Sequence, residues 1–256
     1  MPNQIAPLVT GGSPCSVLPM LQHQGNCLRR WARLPWVLQT GKPAERAESV
    51  RGADADRTAF LEAMNCVSLP LVEDIIAALQ PLRFSELLDV GGATGTWTLA
   101  FLRAVPSARA IIFDLPDAIP LAQRRMRAEG MSSRVHFVGG DFYSDALPKR
   151  ADLVWLGAII HQNSRAQNRE LFEKVYEALA PGGHVIIRDI VMDPTHTRPV
   201  MGALFAINML VATDAGGTYS FDEISGDLTA AGLTEVTLVR DGKAMDSLVR
   251  AKKPEH

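Results

Sequence analysis

The stretch Leu87-Leu88-Asp89-Val90-Gly91-Gly92-Ala93-Thr94-Gly95 constrains this chain more than any other. A short apolar strand pattern runs directly into a glycine-rich turn, and Trp97 to Val105 then reads as a helix. Glycine permits the tight turn and lets a ligand approach the backbone, while the helix start presents free N–H groups. A strand feeding a helix in this way is the opening unit of a parallel, helix-covered sheet.

The sequence that follows keeps to that plan. Strand patterns at Ala110–Phe113, Val135–Val138, Leu153–Leu156 and Val185–Ile187 alternate with helices, one beginning at Asp117 and one after Ser164. Ser164 and Gln167 form an S-x-x-Q capping box, and Pro181-Gly182-Gly183 is expected to end that helix. Such alternation specifies an α/β fold with a sheet buried on both faces. Ser220 and Glu223 make a second capping box for a helix ending near Gly232. Glu235–Val239 and Ser247–Arg250, joined by a turn at Asp241-Gly242, read as an antiparallel pair closing the sheet. Met201 to Ala212 is apolar on nearly every face, so it is expected to be buried on more than one side.

Ahead of the sheet the signals are helical. Loop residues at Gly11-Gly12-Ser13-Pro14, Gly41-Lys42-Pro43 and Gly52 bracket one or two docking helices carrying Leu28, Trp31, Leu34, Trp36 and Leu38. From Asp56, the positions Phe60, Met64, Val67, Leu71 and Ile75 keep a helical spacing, with Pro70 as a boundary. The chain therefore divides into a helical segment over residues 1–80 and a ligand-binding domain over 81–256.

Composition excludes several classes. The formal charge of −2 gives no global attraction to nucleic acid or to an anionic membrane, and Arg29, Arg30 and Arg33 read as solvated helix surface. Cys15, Cys27 and Cys66 are odd in number and lack metal-ligand spacing, which fits a reducing cytoplasm without a disulfide framework or a metal site. The apolar run at Met201–Ala212 is well short of the ~20 residues that span a bilayer.

The glycine turn alone would serve a nicotinamide dinucleotide, a flavin or S-adenosylmethionine (SAM). The dinucleotide spacing GxGxxG is not met, because Gly91, Ala93 and Thr96 hold those places; the pattern D-x-G-x-A-x-G at Asp89, Gly91, Ala93 and Gly95, with Gly92 between, favours SAM. The next strand ends in Phe113-Asp114-Leu115-Pro116, which puts a carboxylate 23 residues after Gly91, where it can accept from both ribose hydroxyls. A third ends in Gly140-Asp141-Phe142, suited to the adenine amino group with an aromatic beside the ring. Taken singly, Asp114 and Asp141 also read as turn residues after strands; three loops at three strand ends converge on one ligand.

These stretches, with Ile160-His161, PGGHVIIRDIV and the segment from Gly216-Gly217 to Leu233, resemble the class I SAM-dependent methyltransferases. Within them the closest likeness is to small-molecule O-methyltransferases of the plant caffeate and bacterial polyketide or carotenoid type, over about residues 60 to 253. The resemblance implies a Rossmann-like, doubly wound, mostly parallel seven-stranded sheet with an antiparallel C-terminal strand. It implies SAM as methyl donor and S-adenosylhomocysteine as product, and a hydroxyl of a small secondary metabolite as acceptor. It also implies a homodimer, built in the family on an N-terminal winged-helix domain that is read here as missing or trimmed.

The resemblance places a general base at His161 and a flanking acid at Asp189, 28 residues later. Imidazole, titrating at ~6.5, can accept a proton near neutrality, and a carboxylate can hold its second ring N–H and fix the tautomer. Met201, Phe205, Asn208, Met209 and Asp214 fall at the family's substrate positions; Met and Phe there also read as ordinary core, whereas a buried Asn208 needs hydrogen-bond partners. The sequence departs from the family pattern in three places. His-Asp-Trp is His161-Gln162-Asn163, the second flanking acid falls on Thr218 or Tyr219, and a lysine of plant members is Gly157. Weaker polarisation of His161 follows, which fits an acidic phenol or a changed reaction. Other readings are C-methylation, decarboxylation or hydroxylation with SAM, a non-catalytic SAM-binding module, and an NAD oxidoreductase.

Overall fold

The computed structural model describes residues 2–11, 13, 16–43, 45 and 47–255, with side chains from residue 5 onward. Gly12, Pro14 and Cys15, read above as loop and thiol positions, lie outside the described residues. The sheet holds seven strands: β1 (Glu86–Val90), β2 (Arg109–Asp114), β3 (Val135–Gly139), β4 (Ala151–Gly157), β5 (Leu179–Asp189), β6 (Thr234–Arg240) and β7 (Ser247–Lys252). Their order across the sheet is 3-2-1-4-5-7-6. Strands β1 to β5 are parallel to their neighbours, and β7 is antiparallel to both β5 and β6. This is the Rossmann-like arrangement expected from the alternating pattern, down to the antiparallel last strand.

Ten α-helices are described: α1 (Pro2–Val9), α2 (Leu18–Trp31), α3 (Leu34–Thr40), α4 (Ala53–Ser68), α5 (Val72–Ala78), α6 (Thr96–Ala104), α7 (Ile119–Ala128), α8 (Arg165–Ala178), α9 (Val200–Ala212) and α10 (Phe221–Ala230). One sheet face packs Phe101, Leu102, Ala122 and Met126 of α6 and α7, with Ile75 of α5, against Leu87, Ile112 and Trp155. The other packs Leu171, Phe172 and Val175 of α8 and Ile224 and Leu228 of α10 against Leu88, Val154 and Ile187. Burial on both faces is why these strands read as nearly continuous apolar runs.

Local signals match where backbone chemistry decides. Both capping boxes form, Ser164 with Gln167 and Ser220 with Glu223, and Pro70 sits in a 3₁₀ turn between α4 and α5. Four expectations need correction. Pro181-Gly182-Gly183 does not end α8; that helix stops at Ala178, and the three residues lie inside β5, where the pairing with β4 shifts register. The helix expected at Asp117 starts at Ile119. Helix α4 buries the small residues Ala59 and Ala63, while Phe60 and Val67 stay largely exposed, Phe60 meeting the His23 ring of α2 at 5.2 Å. Leu28 and Leu38 likewise point outward, and Val37 is buried in their stead.

Helix α9 is covered less completely than its all-round apolar sequence suggests. Only Gly202, Met209 and Val211 are buried, while Val200 and Met201 are 67% and 59% exposed and Leu204 and Leu210 are open as well. The helix packs on α2 and α3, with Val211 against Val37, and on its other side sets Gly202 against Ile190 and Met192, so it is covered on more than one side while Val200, Met201, Leu204 and Leu210 are left open. No described helix is long and apolar enough to cross a membrane.

Candidate active site

Because β1 to β5 are parallel, their carboxyl ends share one edge, and the order reverses between β1 and β4. A crevice opens at such a switch point, where the loops leaving the two strands part to opposite faces. The residues singled out in the sequence leave that edge: the glycine turn after β1, Asp114 at the end of β2, Asp141 after β3, His161 after β4 and Asp189 at the end of β5.

The glycine turn is locked to its neighbour. Gly91 N–H donates to the Phe113 carbonyl at 2.8 Å and Gly95 N–H to the Gly92 carbonyl at 2.7 Å. Gly91 and Gly95 have φ of +69° and +75°, a region that penalises any side chain. At Gly95 a Cβ would also stand 2.8 Å from Met126 Cε. Ala93, which holds the central position with φ +47°, donates its N–H to Asp114 Oδ2 at 2.6 Å. The second Asp114 oxygen accepts the Leu115 N–H at 2.7 Å, and Leu115 itself is 53% exposed at the rim. Burial raises the Asp114 pKa despite these two donors.

Asp89 sits below the turn. It is 2% exposed and accepts the Thr98 hydroxyl at 2.6 Å, so it braces α6 against β1 from beneath. Burial pushes its pKa up to about 7. A Cβ on Gly92 would stand 3.1 Å from the Asp89 carboxyl carbon, which makes Gly92 the place where brace and turn touch.

After β3, Asp141 Oδ1 accepts the Tyr143 N–H at 2.9 Å, and the Phe142 and Tyr143 rings lie 4.6 Å apart. Lys174 of α8 holds the loop by donating to the Phe142 and Tyr143 carbonyls at 2.7 and 3.0 Å.

His161 rides on a 3₁₀ turn, Ile160–Gln162. Its Nδ1 lies 3.0 Å from both oxygens of Asp189, which is 2% exposed. Asp189 Oδ1 also accepts the Ile190 N–H at 2.8 Å. With Nδ1 turned to the carboxylate, Nε2 is the nitrogen left for a reacting group. Gly217 N–H donates to the His161 carbonyl at 2.9 Å, and a Cβ on Gly216 would meet that oxygen at 2.5 Å, so the loop after α9 presses directly on the histidine backbone.

The five substrate candidates separate. Phe205 meets the His161 ring edge-to-face at 4.9 Å. Asn208 accepts the Trp31 Nε1–H at 3.0 Å, which supplies the partner a part-buried amide requires and ties α9 to α2. Met209 is buried in the packing; Met201 and Asp214 are exposed. Neither replacement for the second acid carries a charge. Thr218 is buried with its hydroxyl unpartnered among the described residues, and Tyr219, pushed up to about 12 mainly by burial, donates its hydroxyl to the Asn163 carbonyl. At Gly157 a Cβ would stand 2.4 Å from Trp155 Nε1, so the indole fills the space a longer residue needs.

Sequence reasoning missed two groups. Arg125 of α7 donates to Asn65, Thr94 and Thr96, a polar knot joining α4 to the end of the glycine turn beside a recess of about 210 Å³. Thr94 and Thr96 belong to the glycine turn and the helix start, but Asn65 and Arg125 carry no motif, and only the packing of α4 and α7 brings them there. The recess is lined by Glu62, Asn65, Thr94, Leu121 and Arg125, not by His161 or Asp189. The second group is Tyr143 with Asn163, which an inventory of buried amides would have flagged.

Residues 36–234 match the O-methyltransferase domain family. The chain is 35% identical over 229 residues to the tetracenomycin polyketide synthesis 8-O-methyl transferase TcmO of Streptomyces glaucescens, covering 88% of this chain and 67% of that one. It is 33% identical over 219 residues to the 3-hydroxy-5-methyl-1-naphthoate 3-O-methyltransferase of Streptomyces sahachiroi, covering 82% and 62%. The chain thus spans about two thirds of the length of these relatives. Its fold is that of human N-acetylserotonin methyltransferase in complex with SAM, with a TM-score of 0.84 over 98% of this chain and 74% of that one, at 23% identity. The chain belongs to the O-methyltransferase domain family.

Proposed function

We propose that this family member is an enzyme that transfers a methyl group from SAM to a phenolic or enolic oxygen of a small secondary metabolite, with His161 as general base. The observation that carries the reading is the His161–Asp189 pair, Nδ1 to carboxylate at 3.0 Å, at the edge where the glycine turn, Asp114 and Asp141 also lie.

The residues present fit the donor. The positive φ angles at Gly91 and Gly95 and the close approach of Gly92 to Asp89 keep the turn after β1 tight where α6 begins, so that the helix start can meet the cofactor, with Asp114 at the end of β2 and Asp141 after β3 to accept from the ribose and the adenine. When bound, SAM supplies an electrophilic sulfonium methyl and leaves as S-adenosylhomocysteine. His161 Nε2 takes the acceptor's proton as its oxygen bonds to the methyl carbon, and Asp189 holds the Nδ1–H and stabilises the imidazolium. Positioning the two reactants supplies ~7 to 11 kcal/mol. With only Asp189 flanking His161, the base suits an acceptor that ionises readily, such as a phenol.

Residues 81–256 form the cofactor domain on this reading, and residues 1–80 are a helical appendage. We place the protein in the cytoplasm as a homodimer, for which the open apolar side of α9 at Val200, Met201, Leu204 and Leu210 is the supporting feature. The test is a screen of phenolic and polyketide-like acceptors with methyl-labelled SAM, run with His161→Ala. The variant should lose turnover and bind S-adenosylhomocysteine as the unaltered chain does. Undiminished turnover removes His161 from the chemistry, and a product lacking a new O-methyl mass points to C-methylation, decarboxylation or hydroxylation instead.

A further inference from the structure

Tyr143 is anchored at both ends yet leaves its ring in the open. Its backbone N–H is held by Asp141 and its carbonyl by Lys174. Its hydroxyl donates to Asn163 Oδ1. Asn163 is fully buried, at 0% exposure, while Tyr143 is 48% exposed. The Asn163 amide nitrogen donates to Asn168 Oδ1 at 3.0 Å, and Asn168 donates to the Ile160 carbonyl at 3.0 Å. The ring therefore spans from the loop after β3, which carries Asp141, to the turn that carries His161.

The Tyr143 hydroxyl supplies a partner that the buried Asn163 amide needs, and the same bond fixes the position of a ring that is left half in solvent. Rigid, pre-placed rings are what a planar base stacks on. From these contacts we infer that Tyr143 is a cofactor-binding residue that covers the adenine end, held in place by Asn163. This rests on the SAM reading above. Asp141 fits the same picture, because one oxygen is occupied by the Tyr143 N–H and the other remains for the base. Asn163 is then not a neutral loss of an aromatic side chain at that position, since the tyrosine anchored to it brings a ring to the same edge.

The experiment measures S-adenosylhomocysteine and 5′-methylthioadenosine affinity by calorimetry, with thermal unfolding of the ligand-free proteins alongside. Methylthioadenosine keeps the adenine and lacks the amino-acid end. Tyr143→Ala should weaken both ligands by the same factor, on the order of tenfold, while ligand-free melting stays near that of the unaltered chain. Tyr143→Phe and Asn163→Ala should each weaken binding severalfold, and combining them should add nothing to Asn163→Ala, the signature of one shared contact. If Asn163→Ala is poorly folded, Tyr143→Phe against Tyr143→Ala still separates anchor from ring. Unchanged affinity in Tyr143→Ala overturns this inference alone, as does weakening matched by a general loss of stability. Failure of the unaltered chain to bind either ligand overturns the SAM reading and this one with it.

Discussion

Asp89→Asn should flatten a pH dependence of stability that the wild-type carboxyl imposes. Asp89 is 2% exposed, and burial pushes its pKa up to about 7 from 3.8; the Thr98 hydroxyl opposes the shift and the neighbouring Asp114 carboxylate adds to it. Between those values the folded protein keeps a proton that the unfolded chain releases. The stabilisation is therefore complete below about pH 4 and is lost as pH rises through about 7. At about 1.36 kcal/mol per pKa unit, the full effect is roughly 4 kcal/mol, of which about 2 kcal/mol falls between pH 5 and pH 7. The assay is urea unfolding of both proteins at half-unit steps from pH 5 to pH 8. Asparagine can still accept from Thr98, so the variant keeps the brace while losing the titrating group. The variant's stability relative to the parent should climb by about 2 kcal/mol from pH 5 to pH 7. A constant gap across that range would refute the account of Asp89 as a buried, proton-holding brace.

Three other outcomes are expected. Asp189→Asn should lower kcat by about 10² to 10⁴ with S-adenosylhomocysteine affinity intact, since it removes the charge that stabilises the imidazolium; labelled methyl transfer and calorimetry read the two halves. Gly157→Ala should cost about 1 to 3 kcal/mol in thermal or chemical unfolding, because its Cβ would fall 2.4 Å from Trp155 Nε1 among side chains that are 0% exposed, such as Trp155 itself. Asn208→Leu leaves the Trp31 Nε1–H without its acceptor at 3.0 Å. It should cost about 1 kcal/mol or more and alter KM for the acceptor while leaving cofactor affinity unchanged, which steady-state kinetics resolves.

The order of strands was legible because each local signal and the global architecture agree. Leu87–Val90 is apolar on both sides since helices cover both faces, and Ser164 and Ser220 cap helices through bonds made within four residues. The pairing of His161 with Asp189 came from the family resemblance, and the topology accounts for it: parallel strands deliver their carboxyl ends to one edge, which lets residues just past β4 and at the end of β5 meet. What failed was whatever depends on a partner the pattern does not encode. Phe60 and Val67 carry the apolar rhythm of α4, yet Ala59 and Ala63 are the residues it buries, and Phe60 stays 44% exposed beside His23 of α2.

Helix α9 is the sharper case. Its composition demands cover all round, and the chain leaves Val200, Met201, Leu204 and Leu210 open. A run apolar all round is a statement about total burial, and periodicity cannot say whether the cover is intramolecular. The structure divides the helix by function instead. Phe205 turns inward to His161 and Asn208 to Trp31, while Val200, Met201, Leu204 and Leu210 face out. Loop 213–217, which follows the helix, presses on the His161 backbone through Gly216 and Gly217. Helix α9 is thereby joined to the histidine twice, by Phe205 within the helix and by Gly216 and Gly217 after it.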